Sequence, residues 1–210
     1  MTRQIESDEV VLIGPDGQPA GTADRLLVHG ADTPLHLAFS VYLLDGEGRL
    51  LMTRRALSKR TWPGVWSNSC CGHPRPGEQV ADAVLRRTFE ETGLDIDQLT
   101  CVLPEFTYRA VDAGGIVEYE LCPVFVGRAR GDLTPDPAEI EETAWAEPAE
   151  VQVIARSTPF VLSPWCVRQL ALLDLDAASA ALRVDGPSLG RRGRPGPVAG
   201  RTGTTRGEDG

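Results

Sequence analysis

The sequence predicts an α/β (α+β) fold, a mixed β-sheet core with helices on its faces. Three observations predict it. Short apolar runs are separated by Gly- and Asp-rich turns of hairpin type. Helical periodicity occurs between those runs, near 78–92, 148–156 and 164–181. Strands and helices interleave, but hairpins join several strands, so a regular parallel βαβ winding does not fit.

Each element follows from local signals. Residues 9–13 (EVVLI) form a strand closed by Gly14-Pro15-Asp16-Gly17. Residues 36–44 (HLAFSVYLL) read as one buried strand, and the turn Asp45-Gly46-Glu47-Gly48 returns the chain to 49–54 (RLLMTR) as its antiparallel partner. Pro74, Pro76 and Gly77 precede a helix from about Glu78 to Thr92. Ala81, Val84, Leu85 and Thr88 mark its buried stripe, and Gly93 is its stop signal. Strands at 106–110 and 116–126 flank the turn Asp112-Ala113-Gly114-Gly115. A short strand near Thr143–Ala146 and helices at 148–156 and 164–181 complete the chain, with no internal repeat.

Composition bounds the function. The 210 residues suit one domain, 1–182, with a tail, 183–210. The tail carries six Arg against three acids, with eight Gly and three Pro and almost no large apolar residues, so it is expected to be disordered. The net charge of -9 excludes a general nucleic-acid binder, because phosphates would be repelled. No run of 18 apolar residues suggests a membrane helix, and the acidic start MTRQIESDEV lacks a secretory h-region. Five cysteines, two of them adjacent, make a poor disulfide framework, which fits the reducing cytoplasm. The sequence does not fix the oligomeric state, and a monomer is favoured.

The helix at 78–92 carries Glu90 and Glu91 in its last turn, where the helix dipole already concentrates negative charge. Pairing with Arg86 and Arg87 at i,i+4 offers one explanation, and a cation facing that turn offers another. His29, His36 and His73 are the only histidines in the chain. His36 opens an apolar strand, and His73 lies in a tight Gly/Pro loop. Glu118 and Glu120, two apart in GIVEYELCPVF, share one face of a strand, where they need a shared proton, a cation or solvent. Three imidazoles and two carboxylates suit Mn²⁺, Zn²⁺ or Fe²⁺.

Gly72, Glu78, Arg86, Glu90, Glu91, Gly93 and Leu94 stand at the spacing G-x5-E-x7-R-…-E-E-x-G-L. This resembles the Nudix box, a loop–helix–loop that presents carboxylates to a metal–diphosphate, and so implies a Nudix-like core. Arg87 stands where that family usually has Glu, which favours holding a diphosphate without hydrolysing it. The stretches LHLAFSVYLL, TRRALSKRTWPGVWSNSCCGHP, FTYRA, GIVEYELCPVF and SPWCV are similar to type I isopentenyl-diphosphate isomerases over most of residues 5–175. That resemblance implies conversion of isopentenyl diphosphate to dimethylallyl diphosphate, a step in isoprenoid precursor synthesis. It implies a divalent metal on His29, His36, His73, Glu118 and Glu120, and Cys71 and Glu120 as catalytic residues on opposite sides of the substrate. Mg²⁺ would lean on Glu91 and the Cys71 backbone. Arg55, Lys59 and Arg87 would hold the diphosphate of an isoprenoid substrate.

Such chemistry needs a positioned acid, a base and exclusion of water, because a protonated alkene is a tertiary carbocation. Tyr108 is expected to orient Glu120. Trp165 and Trp66 are candidates to shield the cation. Cys70, Cys101, Cys122 and Cys166 are expected to be small buried hydrophobes. Two rivals remain. A Nudix hydrolase of a nucleoside diphosphate derivative would release phosphate, and a metal-stapled module would have no activity.

Overall fold

The structure is a computed structural model that describes residues 9–183, the side chains of Ala181 and Arg183 excepted. Twelve strands, four α-helices and one 3₁₀ turn follow in order. They begin with β1 (Glu9–Ile13), β2 (Pro19–Asp24), β3 (His36–Leu37), β4 (Phe39–Leu44), β5 (Leu50–Arg55), β6 (Trp66–Ser67) and β7 (Cys70–Gly72). Next come α1 (Val80–Thr92), β8 (Asp95–Leu103), β9 (Thr107–Val111), β10 (Val117–Leu121), β11 (Val124–Arg130) and β12 (Ile140–Ala146). The chain closes with α2 (Pro148–Ser157), the 3₁₀ turn at Pro159–Val161, α3 (Pro164–Leu170) and α4 (Leu175–Arg183).

Two mixed sheets result. The smaller has the order β2-β1-β3-β10-β9, and the larger β12-β5-β4-β11-β8, with β6 on β5 and β7 on β4. The run 36–44, expected as one strand, belongs to both. It leaves the first sheet after Leu37 and enters the second at Phe39. The run 116–126 does the same, breaking at Cys122-Pro123, and β11 continues to Arg130. Both crossings occur side by side and parallel. His36 pairs with Glu120 in one sheet and Ser40 with Val124 in the other. Ala38 N–H donates to Leu121 O and Ser40 N–H to Pro123 O, both across the break. A proline fits this corner because it has no N–H to offer a continued ladder.

The larger sheet is covered on both faces. Phe39, Val41 and Leu43 on β4 join Leu51, Ala83 and Val84 under α1. Tyr42 and Leu44 on the opposite face join Trp165, Cys166 and Leu170 of α3. Every residue of β4 is buried, as expected of a strand covered on both sides. The buried face of α1 is Ala83, Val84, Thr88, Glu91 and Thr92. Ala81, expected in that stripe, is exposed, and Leu85 only flanks the core. The stripe ends on Glu91, which faces inward and pairs with Arg87. The helix expected at 164–181 is two helices, broken between Leu170 and Leu175. The tail beyond Arg183 lies outside the described residues. Among the described residues no helix is long and apolar enough to cross a membrane.

Candidate active site

The paired crossings carry the site. On β10, Glu118 and Glu120 point to one buried face, as their spacing requires. His36 lies beside Glu120 in register, and His73 follows β7, which pairs with β4. His29 arrives on the loop after β2. The three imidazole centroids lie 5.0–5.7 Å apart. One donor atom each from His29, His36, His73 and Glu120 falls within 4.8 Å of all the others. Glu118 stands apart from that cluster. Its carboxylate accepts from Thr61 Oγ1 at 2.7 Å and contacts the Tyr108 hydroxyl at 2.8 Å.

The cluster has the donor chemistry of a metal site. His36 Nδ1 lies 2.9 Å from Pro34 O, which fixes that nitrogen as the protonated one and leaves Nε2 with its lone pair. Nε2 of His29 is buried without a hydrogen-bond partner, and Nε2 of His36 is buried with only the longer 3.6 Å approach of Glu120 Oε1. Orphaned buried nitrogens are costly unless something binds them. Burial, then the charges of His73 and His36, lowers His29 to about 4, so its imidazole is neutral near pH 7. Burial also lowers His73. His36 moves upward, because hydrogen bonding and charge at Glu120 override its burial. Glu120 is held well below the usual carboxylate range. Burial would raise it, but His36 and His73 win. Glu118 goes the other way, raised by burial and by the Glu120 charge. The Tyr108 hydroxyl also reaches Glu120 Oε2, at 2.9 Å, and so bridges the two carboxylates with one proton.

Cys71 lies across from Ser40 in the β4–β7 ladder. Its sulfur is 3.2 Å from Asn68 Oδ1 and 3.4 Å from Ser40 Oγ. Burial pushes its thiol up to about 12, against hydrogen bonding with Ser40 and Asn68. Gly72 has no side chain because a Cβ there would meet the Phe39 ring at 3.0 Å and Arg87 Cγ at 3.1 Å. The first box glycine thus lets α1 press against the Cys71 strand.

A cleft of about 360 Å³ opens over Cys71, His29, His73 and Glu118, and its walls include Arg55, Lys59 and Arg87. All three expected diphosphate-binding cations therefore share one cavity. Each is already paired. Lys59 and Arg87 both bond Glu139, Arg87 also bonds Glu91, and Arg55 donates to Thr61 O and Oγ1. The i,i+4 pairs Arg86–Glu90 and Arg87–Glu91 expected from the helix are both present. The Arg55 guanidinium stacks 5.5 Å from the Trp165 ring centre.

Tyr108 and Trp165 are 4% and 1% exposed, buried beyond the residues that line the cleft. The rings against Trp165 are Trp62, edge-on at 5.3 Å, and Tyr108 at 5.6 Å, while Trp66 lies on β6. Trp62 has φ +43, a conformation that no periodicity forecasts. Cys101 is exposed rather than buried, since it lies on the solvent side of β8. Sequence reasoning also missed Thr61, Asn68, Ser40, Gln169 and Glu139. The first two lie inside the TWPGVWSN stretch, whose dense Trp, Gly and Asn content was the available signal. Glu139 carried none.

Residues 34–166 match the family model described as NUDIX domain. The fold resembles solved structures of a protein from Deinococcus radiodurans (TM-score 0.59, 18% identity, 78% of this chain and 98% of that one) and of a MutT protein from Methanosarcina mazei (TM-score 0.55, 19% identity, 69% and 94%). At those identities the likeness concerns fold alone. Among curated relatives, the isopentenyl-diphosphate Delta-isomerase of Frankia alni is 58% identical over 85% of this chain and 93% of its own length. The isopentenyl-diphosphate Delta-isomerase of Cutibacterium acnes is 54% identical over 78% and 85%. With the domain match running from just before β3 into α3 and more than half of the aligned positions shared with these relatives, the chain belongs to the isopentenyl-diphosphate Delta-isomerase family of NUDIX-domain proteins.

Proposed function

We propose that this protein is an enzyme that interconverts isopentenyl diphosphate and dimethylallyl diphosphate. The observation that supports this is a cation-walled cleft lined by Cys71, His29 and His73, with His36 and Glu120 buried behind it and clustered with the two histidines within 4.8 Å. The relatives' shared name supports the same activity.

The cluster fits a divalent cation, because two buried imidazole nitrogens are left without a hydrogen bond at normal distance while a carboxylate stands beside them. His29, His36, His73 and Glu120 would hold it, with Glu118 proposed as a fifth ligand, and an imidazole-rich set suits Mn²⁺, Zn²⁺ or Fe²⁺. When bound, such a cation supplies positive charge that polarises Glu120. Glu91 and the Cys71 backbone are proposed to hold Mg²⁺ with the diphosphate.

The protein's own groups do the rest. Arg55, Lys59 and Arg87 bind the diphosphate, Arg87 through its several N–H donors. The substrate's terminal alkene gains a proton at C4, giving a tertiary cation at C3. A proton then leaves C2, and the double bond settles between C2 and C3. Glu120 and Cys71 perform these transfers from opposite faces, and Tyr108 fixes Oε2 of Glu120 by its 2.9 Å hydrogen bond. Trp165, with Trp62 edge-on beside it, backs the cleft from behind as an apolar, electron-rich layer that excludes water. Arg87 in place of the usual box acid disfavours hydrolysis. All five cysteines are free, and a working Cys71 thiol requires a reducing compartment such as the cytoplasm.

The test is product analysis after incubation with isopentenyl diphosphate and Mg²⁺ plus Mn²⁺ or Zn²⁺. Dimethylallyl diphosphate without free phosphate is expected. Phosphate release would instead mark a hydrolase, and neither product a purely structural metal site.

A further inference from the structure

The Cys71 thiol is held by groups whose own partners lie on α3, and donor–acceptor chemistry orients the amide groups around it. Asn68 Nδ2 donates to Val41 O at 3.2 Å and Cys70 O at 2.8 Å, so Oδ1 is the atom facing Cys71. An amide oxygen only accepts, and this one accepts from Trp165 Nε1 (3.1 Å), from Ser67 Oγ (2.9 Å) and from the Cys71 thiol. The single Cys71 proton is thereby directed at Asn68.

The other side of the sulfur is Ser40. Tyr42 donates its hydroxyl proton to Gln169 Oε1 at 2.9 Å, which turns Gln169 Nε2 toward Ser40 Oγ at 3.0 Å. Ser40 accepts from Gln169, so its own proton points toward sulfur, with Cys71 at 3.4 Å and Cys122 at 3.3 Å. Tyr42, Ser40, Asn68 and Gln169 are all fully buried. No solvent can substitute for a lost member. Trp165 and Gln169 are one turn apart on α3, so one helix face grips both polar neighbours of Cys71.

We propose that Ser40 and Gln169 are positioning residues for the isomerisation, with α3 fixing the place and hydrogen-bond direction of the Cys71 thiol through them. This rests on the activity proposed above. Neither residue lines the substrate cleft, so their effect should fall on the chemical step and not on diphosphate binding. Misplacing a proton-transfer group by a fraction of an ångström costs rate steeply.

The experiment compares wild type, Ser40→Ala, Gln169→Met and Cys122→Ala by steady-state kinetics and thermal melting. Ser40→Ala removes one atom from a strand and should fold. Its kcat is expected to fall about tenfold or more with KM within about twofold. Gln169→Met should lose less, in the same direction. Cys122→Ala, which leaves Ser40 with Cys71 as its one sulfur partner, should keep wild-type kcat. Ser40→Ala at wild-type kcat would overturn the proposal, as would a rise in KM alone. An equal loss in Cys122→Ala would also overturn it, by showing that Ser40 acts through the wrong sulfur. A wild type that makes no dimethylallyl diphosphate sinks the activity itself, a result distinct from an active wild type with an unaffected Ser40→Ala.

Discussion

At the scale of single residues, most of the site's chemistry follows from burial set against pairing. Cys71 and Glu120 share a pocket yet are pushed apart, the thiol upward by burial and the carboxylate downward by His36 and His73. Two proton-handling groups with divergent affinities are what a reversible proton addition and removal requires. Cys71→Ala is expected to lower kcat by about 10²–10⁴-fold or more, with little change in melting temperature, because the lost sulfur touches only Ser40 and Asn68 among polar groups. Retained turnover in a sensitive product assay would remove Cys71 from the mechanism. The residue types of this site were legible in the sequence. Their partners were not. Glu139, the carboxylate shared by Lys59 and Arg87, sits 80 residues from Lys59 and meets it only through the β11–β12 connection.

At the scale of elements, the loop–helix–loop around α1 is held by its two glycines. Gly93 caps α1 with φ +74, and its N–H donates to Phe89 O at 2.9 Å. A Cβ there would lie 1.9 Å from Thr134 Oγ1. Gly93→Ala therefore carries both left-handed strain and a clash, together about 1–3 kcal/mol. For a chain of this size the melting temperature should drop by about 2–12 °C. Adding Thr134→Ala should recover the clash share and leave the strain share, which calorimetry of single and double variants separates. Helix α1 was legible because its stop signal and charge pairs are local. The split of 36–44 between two sheets was not, since a strand that changes sheets keeps the same apolar pattern throughout.

At the scale of the whole molecule, the proposed metal ties the loops after β2 and β7 and strands β3 and β10 at one point, so binding should stabilise the fold as a unit. A cation present at one hundred times its Kd adds about 2.7 kcal/mol if only the folded chain binds it. The melting temperature should then rise by about 5–11 °C over the chelated protein. Scanning calorimetry with and without chelator measures this, and Glu120→Gln should shrink the shift. An unchanged melting temperature at saturating Mn²⁺ or Zn²⁺ would count against the cluster as a metal site.

By itself the sequence determined the mixed α+β class, the box helix and the identity of the candidate donors, because turns, caps and periodicity are written in neighbouring residues. Only the tertiary structure decided which donors meet. It brought His29, His36, His73 and Glu120 within 4.8 Å, tied Glu118 to Thr61 and, through Tyr108, to Glu120, and set Trp62 edge-on to Trp165. The physical reason is the paired crossing of two parallel segments between sheets at Ala38 and Pro123. That register is set by long-range backbone pairing and two-sided burial, which no local window of residues contains.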